Sequence, residues 1–244
     1  MDVRRWSPFV LAAAVAFWTL LVMVVLMLLI NETDTSWKQV MVQRPAGMPE
    51  SREQLAVTVT DIDRVRRRDG SCNVLVFGLT THAHFWMQHN PGGMTVFLDE
   101  DMDSIERMQK RMPDLVAYPV SYHTQIQRDM NKFRSPTDWA LLHMQLHPSV
   151  RDVVWNVVIV NGPAGYCLHC PGRFQSLYMS SVLKRPPDGL TVVDDCQRKL
   201  ESTFAPLFLG NESIFLAIPR TRALTRHVQC FFRPNMAPSV KSEL

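Results

Sequence analysis

From Phe9 to Ile30 the chain runs FVLAAAVAFWTLLVMVVLMLLI without a charged side chain. At about 1.5 Å per helical residue this run is long enough for the roughly 30 Å hydrocarbon layer of a bilayer. A cleaved signal peptide has an apolar region of only about 7–15 residues before a small-residue cleavage site. The run is therefore expected to be an uncleaved transmembrane signal-anchor. Arg4 and Arg5 precede it, and Glu32 and Asp34 follow it. The positive flank stays on the cytoplasmic side, so the rest of the chain is expected to be lumenal or extracellular, in type II orientation. This divides the sequence into a cytoplasmic tail (1–8), the anchor (9–30), a polar stalk with Pro45 and Pro49 (31–53), one domain (54–235) and a C-terminal tail (236–244). What remains after the anchor and stalk suffices for one domain with its own core.

A net charge of +3 is too mild to argue for a nucleic-acid partner, and the basic run Arg64 to Arg68 reads as a solvated helix face. Five cysteines in a compartment that permits disulfides leave at least one unpaired, and their connectivity is open. Cys167-Leu168-His169-Cys170 looks like half a zinc site, but no second ligand pair stands at finger or ribbon spacing, so no metal is assigned. Asn31 and Asn211 head glycosylation tripeptides, and Asn31 lies too near the bilayer for use.

Leu55, Val59, Ile62 and Val65 recur at helical spacing between Gln54 and Arg68, which predicts an amphipathic helix. Asn73 to Gly78 is a continuous apolar run closed by glycine, as expected of a strand buried on both faces of a parallel sheet. Similar runs follow at Met94 to Leu98, Leu115 to Val120, Trp155 to Val160, Leu190 to Val193 and Ile214 to Ile218. Helical stretches such as Asp103 to Met112 separate them. The expected fold is α/β, a doubly wound sheet.

Ligands of such a sheet sit beyond the carboxyl ends of its strands, which directs attention to the residues just after each run. Gly78-Leu79-Thr80-Thr81-His82 supplies one glycine for a tight turn under a nucleotide-like cofactor but lacks the usual second one. Asp99, Glu100 and Asp101 follow the second run about twenty residues beyond Gly78, with Asp99 or Glu100 placed to accept ribose hydroxyls; the competing reading has these three acids capping a helix that begins near Met102. After the fourth run, a loop of turn formers from Asn161 through Tyr166 leads to Pro171-Gly172-Arg173, where Arg173 can clamp a carboxylate. Asp194 and Asp195, followed by Arg198 and Lys199, are an acid/base pair or a helix start with its salt bridges.

These stretches resemble the plant glucuronoxylan 4-O-methyltransferases and their irregular-xylem relatives. The resemblance rests on Asn73–Leu79 with Trp86, Thr95–Asp101, Tyr122-His123-Thr124-Gln125, Trp155–Tyr166 with Pro171-Gly172-Arg173, Asp195 with Arg198–Phe204, and Ala217-Ile218-Pro219. It implies a Golgi enzyme of the S-adenosylmethionine-dependent methyltransferase (Rossmann-like) fold, methylating the 4-hydroxyl of glucuronic acid on xylan or arabinogalactan. In that setting Gly78, Thr80, Asp99, Glu100 and Asn161 face the cofactor, S-adenosyl-L-methionine, and Tyr166 and Arg173 face the uronate-bearing substrate.

Three departures from the family pattern fall on these loops. Thr80 stands where the family has a second glycine and His82-Ala83 where it has Asp-Ser. Asn156 and Asn161 replace aspartates, and Asp194-Asp195 replaces His-Asp. An amide at Asn161 cannot serve as a carboxylate base or an equally strong metal ligand. Two readings follow: an active methyltransferase whose base has moved to Asp195 or His82, or a non-catalytic accessory protein supporting xylan-synthesising glycosyltransferases. A divalent-metal requirement is left open. The terminal Lys241-Ser242-Glu243-Leu244 resembles an endoplasmic-reticulum retrieval signal, which makes that compartment the alternative to the Golgi.

Overall fold

The computed structural model describes residues 50–80, 82–210, 213–218 and 227–233. The apolar run Phe9–Ile30, Asn31, Asn211 and the terminal tetrapeptide lie outside these residues. Among the described residues no helix is long and apolar enough to cross a membrane.

Helix α1 (Glu50–Asp69) leads into β1 (Asn73–Phe77), followed by α2 (Ala83–Gln88), β2 (Met94–Asp99), α3 (Met102–Arg111) and β3 (Val116–Pro119). Next come α4 (Ile126–Asp129), a 3-10 segment (Pro136–Leu142), α5 (Pro148–Arg151) and β4 (Val157–Val160). The chain continues with α6 (Phe174–Val182), β5 (Leu190–Val193), α7 (Lys199–Leu209), β6 (Ser213–Ile218) and β7 (His227–Phe232). These strands form one sheet in the order β3-β2-β1-β4-β5-β7-β6. β1 to β5 pair in parallel, and β7 is antiparallel to both β5 and β6.

The six expected strands are all present, within a residue or two of their apolar runs. The sheet is mixed rather than all parallel, however, because a seventh strand inserts antiparallel between β5 and β6. Its pairing sets Cys230 opposite Val193, and Cys196, just beyond β5, forms a disulfide with Cys230.

Alternation along each central strand feeds two cores. Val74, Val76, Phe97, Val157, Ile159 and Val192 pack with Ile62 and Val65 of α1 on one face. Leu75, Phe77, Leu98, Val158, Val160 and Val193 pack with Phe174, Leu177 and Phe204 on the other. Residues that alternate between two apolar layers leave little room for polar side chains beyond the buried Thr95 and Thr191, which is why these strands read as apolar runs. The second core is dominated by aromatic edges: Phe174 meets Phe133 at 5.7 Å and Phe204 at 4.9 Å between ring centroids.

The basic run of α1 is paired rather than simply solvated. Arg66 meets Asp63 at 3.0 Å, and Arg64 and Arg68 both reach Asp188 in the turn before β5. Asp61, buried in the same helix, is held by Arg233 at 2.9 Å. Helix, turn and the end of β7 are thereby cross-linked on one side of the sheet.

Phe174→Ala removes a fully buried ring from the larger core and is expected to cost about 3–5 kcal/mol in a urea unfolding titration. Val182→Ala, at the exposed end of the same helix (48% exposed), is expected to stay within about 0.5 kcal/mol of the parent.

Candidate functional site

The carboxyl ends of β1 and β4 meet main chain to main chain. Phe77 ends β1, and its carbonyl accepts the N–H groups of Asn161 (3.0 Å) and Gly162 (2.6 Å). Gly78 follows with φ +98°, and a Cβ placed on it would lie 2.8 Å from the Gly162 nitrogen. The converse also holds, because a Cβ on Gly162 would lie 2.7 Å from the Gly78 α-carbon. Only two glycines fit this crossing, and from it the β1 and β4 loops diverge around the crevice where an open α/β sheet receives its ligand.

Asp99, the last residue of β2, closes the near side. Its Oδ2 accepts the Leu79 N–H at 2.6 Å and its Oδ1 accepts the Asp101 N–H at 2.9 Å. One carboxylate thus fixes the turn after β1 and the start of α3. Each oxygen retains capacity for a second donor. Asp101 is the residue that caps α3, through the Ser104 N–H (3.1 Å) and hydroxyl (2.8 Å). The capping reading therefore applies to Asp101 and not to Asp99. Glu100 lies between them, outwardly exposed; desolvation first, then the charges of Asp99 and Asp101, hold its carboxyl above the ordinary range.

Thr80 turns the chain toward α2. Its Oγ1 accepts the His82 N–H at 3.3 Å and its carbonyl accepts that of Ala83 at 3.0 Å. His82 occupies the N-cap position of α2 without a side-chain cap bond and is exposed. Asn161 is half-buried beside the glycine crossing, its main chain committed on both sides: the N–H goes to Phe77 and the carbonyl accepts Arg173.

The sequence reading assigned no role to Tyr122, Gln175 or Ser176, although Tyr122 falls in one of the family-matched stretches. Ser176 donates to the Gly162 carbonyl at 2.8 Å and lies 3.4 Å from the Tyr122 hydroxyl. Burial raises the Tyr122 phenol well above its usual range, and the charges of Glu100 and Asp99 push the same way. Gln175, fully buried, accepts the N–H groups of His123 (2.8 Å) and Thr124 (3.3 Å) and faces His123 Nδ1 at 3.1 Å. His123 Nε2 lies 2.7 Å from the Leu141 carbonyl. A carbonyl can only accept, so Nε2 carries the proton and Nδ1 receives the Gln175 amide. This brace sets the 122–125 segment on α6. No sequence pattern marks it, because it joins residues some fifty positions apart.

Arg173 is placed differently from an open carboxylate clamp. Its side chain is 4% exposed, with Nη1 donating to the Asp194 carbonyl at 2.5 Å and Nη2 to the Asn161 carbonyl at 2.8 Å. Glu201 lies 3.3 Å away and Asp195 3.6 Å away. The guanidinium joins the ends of β4 and β5 to α7, so its ion pairing is internal to the protein. Asp195 is 5% exposed, has φ +53° and pairs with Arg198 at 2.6 Å. The helix-start reading of this segment holds: Arg198 is the N-cap residue of α7. Glu201, 1% exposed, has its carboxyl raised by desolvation in spite of Arg173 and Arg198. The structure thus places Gly78, Thr80, Asp99, Glu100 and Asn161 at the carboxyl ends of β1, β2 and β4. It sets Arg173 and Asp195 in a buried ionic frame beneath the β4 and β5 loops, and Tyr166, 83% exposed, on the outer loop. Among the described residues no cluster of His, Cys, Asp or Glu could hold a metal ion.

The family model described as IRX15/IRX15L/GXM matches residues 54–138 and 130–220. Arabidopsis thaliana Arabinogalactan O-methyltransferase 2 is 34% identical over 159 residues, 57% of this chain and 55% of that protein. Glucuronoxylan 4-O-methyltransferase 2 from the same plant is 34% identical over 164 residues, 60% of this chain and 56% of that protein. Protein IRREGULAR XYLEM 15, also from Arabidopsis thaliana, is 30% identical over 173 residues, 62% of this chain and 54% of that protein. The chain thus matches little more than half the length of these relatives. Among solved structures, a probable spermidine synthase from Corynebacterium glutamicum aligns with TM-score 0.50 at 10% identity, covering 80% of this chain and 67% of that one. At that identity the likeness concerns the Rossmann-like α/β fold alone.

Arg173→Met leaves Asp195 and Glu201 with one fewer buried cation and is expected to cost about 3–5 kcal/mol in chemical denaturation. Gly78→Ala combines a disfavoured φ with backbone overlap, whereas Gly92→Ala (φ +76°) meets nothing within 4 Å. Both are expected to lose about 1–2 kcal/mol to the left-handed backbone, and Gly78→Ala a further 1–3 kcal/mol or so to the overlap, read from paired melts.

Proposed function

We propose, on the premise that the chain belongs to the IRX15/IRX15L/GXM family, that it is an S-adenosylmethionine-dependent 4-O-methyltransferase of glucuronic acid side chains on glucuronoxylan or arabinogalactan. In this reading it works as a type II protein of the Golgi membrane, with the endoplasmic reticulum as the alternative site. The observation that carries the cofactor half is the glycine crossing with Asp99 beside it. The main chain comes within reach of a ligand at Gly78, and the carboxylate that pins Leu79 keeps acceptor capacity for ribose hydroxyls. The relatives named as arabinogalactan and glucuronoxylan methyltransferases support the acceptor class.

S-adenosylmethionine would supply the methyl group. The chain's own residues then have three tasks. Gly78, Leu79 and Thr80 lay the β1 loop against the adenosyl side, and Asp99 and Glu100 receive the ribose. The β4 loop from Asn161 to Tyr166 borders the acceptor. A sugar hydroxyl must lose its proton as its oxygen attacks, which calls for a base near the crevice. Asp195 is paired to Arg198 and Arg173 inside the protein, whereas His82 and Glu100 are exposed at the rim. Glu100 is already assigned to the ribose, which leaves His82 as the exposed candidate for that base.

One observation favours a second reading, a non-catalytic accessory role in xylan assembly beside glycosyltransferases: the β4 strand end offers the amide of Asn161 and no carboxylate. Calorimetry with S-adenosylmethionine, followed by methyl-label transfer to glucuronoxylan, separates the two. The methyltransferase reading expects saturable cofactor binding and label on the uronic acid. Cofactor binding without transfer, turned into transfer by Asn161→Asp with a gain of about 10²–10⁴-fold, identifies a site that has lost only its base. No binding by the parent or by Thr80→Gly/Asn161→Asp removes the enzymatic reading.

A further inference from the structure

The Cys167-Leu168-His169-Cys170 segment is closed by a disulfide, not open for metal. Its two cysteines differ in environment. Cys167 is exposed, as are Tyr166, Leu168 and His169, whereas Cys170 is 7% exposed. The other disulfide, Cys196–Cys230, has both residues 2% exposed beside β5 and β7. Of the four bonded cysteines only Cys167 is exposed, and it is the one open to a thiolate approaching from solvent. A Cys-x-x-Cys pair with an accessible first sulfur and a shielded second one is the arrangement that exchanges with external thiols.

The loop is also mechanically connected. The Cys170 carbonyl accepts the Ile126 N–H at 3.0 Å and the Leu168 carbonyl accepts the Gln127 N–H at 2.9 Å. These are the first two amides of α4, which directly follows the 122–125 segment braced by Gln175. The Gly172 N–H donates to the Ala164 carbonyl at 3.0 Å and closes the loop at its base. The disulfide thus spans the two carbonyls that tie the β4 loop to the start of α4.

We propose that Cys167–Cys170 is a thiol–disulfide exchange site, attacked at Cys167, whose redox state sets the docking of the β4 loop on α4. The reductant is a thiol such as glutathione or a protein dithiol. Its thiolate attacks the Cys167 sulfur, a donor–Cys167 mixed disulfide forms, and the Cys167–Cys170 bond breaks with Cys170 leaving as a thiolate that takes a proton from water. A second donor thiolate attacks the donor's sulfur in that mixed disulfide, releasing Cys167 as a thiolate. The donor pair is oxidised to a disulfide by two electrons, and the loop gains two electrons and, once Cys167 is protonated, two protons. This inference stands whether or not the chain transfers methyl groups.

Native protein is titrated with dithiothreitol, alkylated with iodoacetamide and mapped by peptide mass spectrometry. Cys167 and Cys170 are expected to label first, Cys196 and Cys230 only with denaturant. Cys72 serves as an internal control: burial first, then the charge of Asp61, pushes its thiol up to about 12, so it stays unlabelled in folded protein. Labelling of Cys196 and Cys230 at equal or lower reductant overturns the proposal. With glutathione disulfide, Cys170→Ser is expected to form the mixed disulfide on Cys167 about tenfold or more faster than Cys167→Ser forms it on Cys170. Equal rates overturn the direction of attack. Hydrogen exchange of the Ile126 and Gln127 amides is expected to quicken about tenfold on reduction, and unchanged exchange overturns the coupling to α4.

Discussion

The arrangement of this domain depends on a single close contact, the crossing of Gly78 and Gly162 at the ends of adjacent parallel strands. Neither residue tolerates a Cβ there, because each would drive it into the other's main chain. With the two backbones in contact, the Phe77 carbonyl can serve both Asn161 and Gly162, and Gly162 is close enough to α6 to accept the Ser176 hydroxyl. A bulkier pair would separate β1 from β4 at their carboxyl ends, where a parallel sheet has no further ladder to hold it. The crevice is thus a product of strand order: β1 and β4 diverge in connection, one toward β2 and the other toward β5.

Around that crossing the protein uses charge for two separate purposes. Asp99 is a half-buried carboxylate spent on main-chain donors, which fixes loops while leaving oxygen lone pairs available. Arg173, Asp195 and Glu201 form a buried frame, with the half-buried Arg198 at its edge, in which charges answer one another and the β4 and β5 carbonyls. A frame of this kind contributes little net stability compared with apolar packing, yet removing one partner strands the others, so it locks geometry more than it adds free energy. Its position directly below the β4 loop makes that loop's path a consequence of α7 docking, with the Phe174, Phe204 and Phe208 ring contacts supplying the apolar part.

How much of this was legible in the sequence follows from which interactions are local. Strands buried on both faces write themselves as apolar runs, so β1 to β6 were readable. α1 was readable because Ile62 and Val65 repeat at helical spacing on its buried face. β7 was missed: His227-Val228-Gln229-Cys230 is neither an apolar run nor a clean alternation, and its antiparallel insertion between β5 and β6 follows no βαβ rule. The glycine at 78 was read as a turn former, but its partner at 162 could not be known, since only the fold brings the two together. Arg173 illustrates the same limit from the other side. A lone arginine in a turn-rich loop reads as available for a ligand, and it is the long-range placement of Asn161, Asp194 and Glu201 that buries it. The Tyr122, Gln175 and Ser176 set is likewise a product of α6 lying against the 122–125 segment.

The departures from the family pattern then fall into two classes with different physical weight. Thr80 adds a side chain to a turn whose geometry is already fixed by Gly78 and by the Leu79–Asp99 bond, and its hydroxyl is absorbed by the His82 N–H. The turn after β1 rests mainly on main-chain atoms and Asp99, which a threonine at position 80 leaves in place. Asn161 differs, because it sets an amide where the resemblance implies a carboxylate, while its main chain bonds Phe77 and Arg173. An amide for a carboxylate is nearly isosteric, so folding does not register it, while proton abstraction does. In the proposed reading, cofactor binding and proton abstraction therefore fall on different residues of this chain.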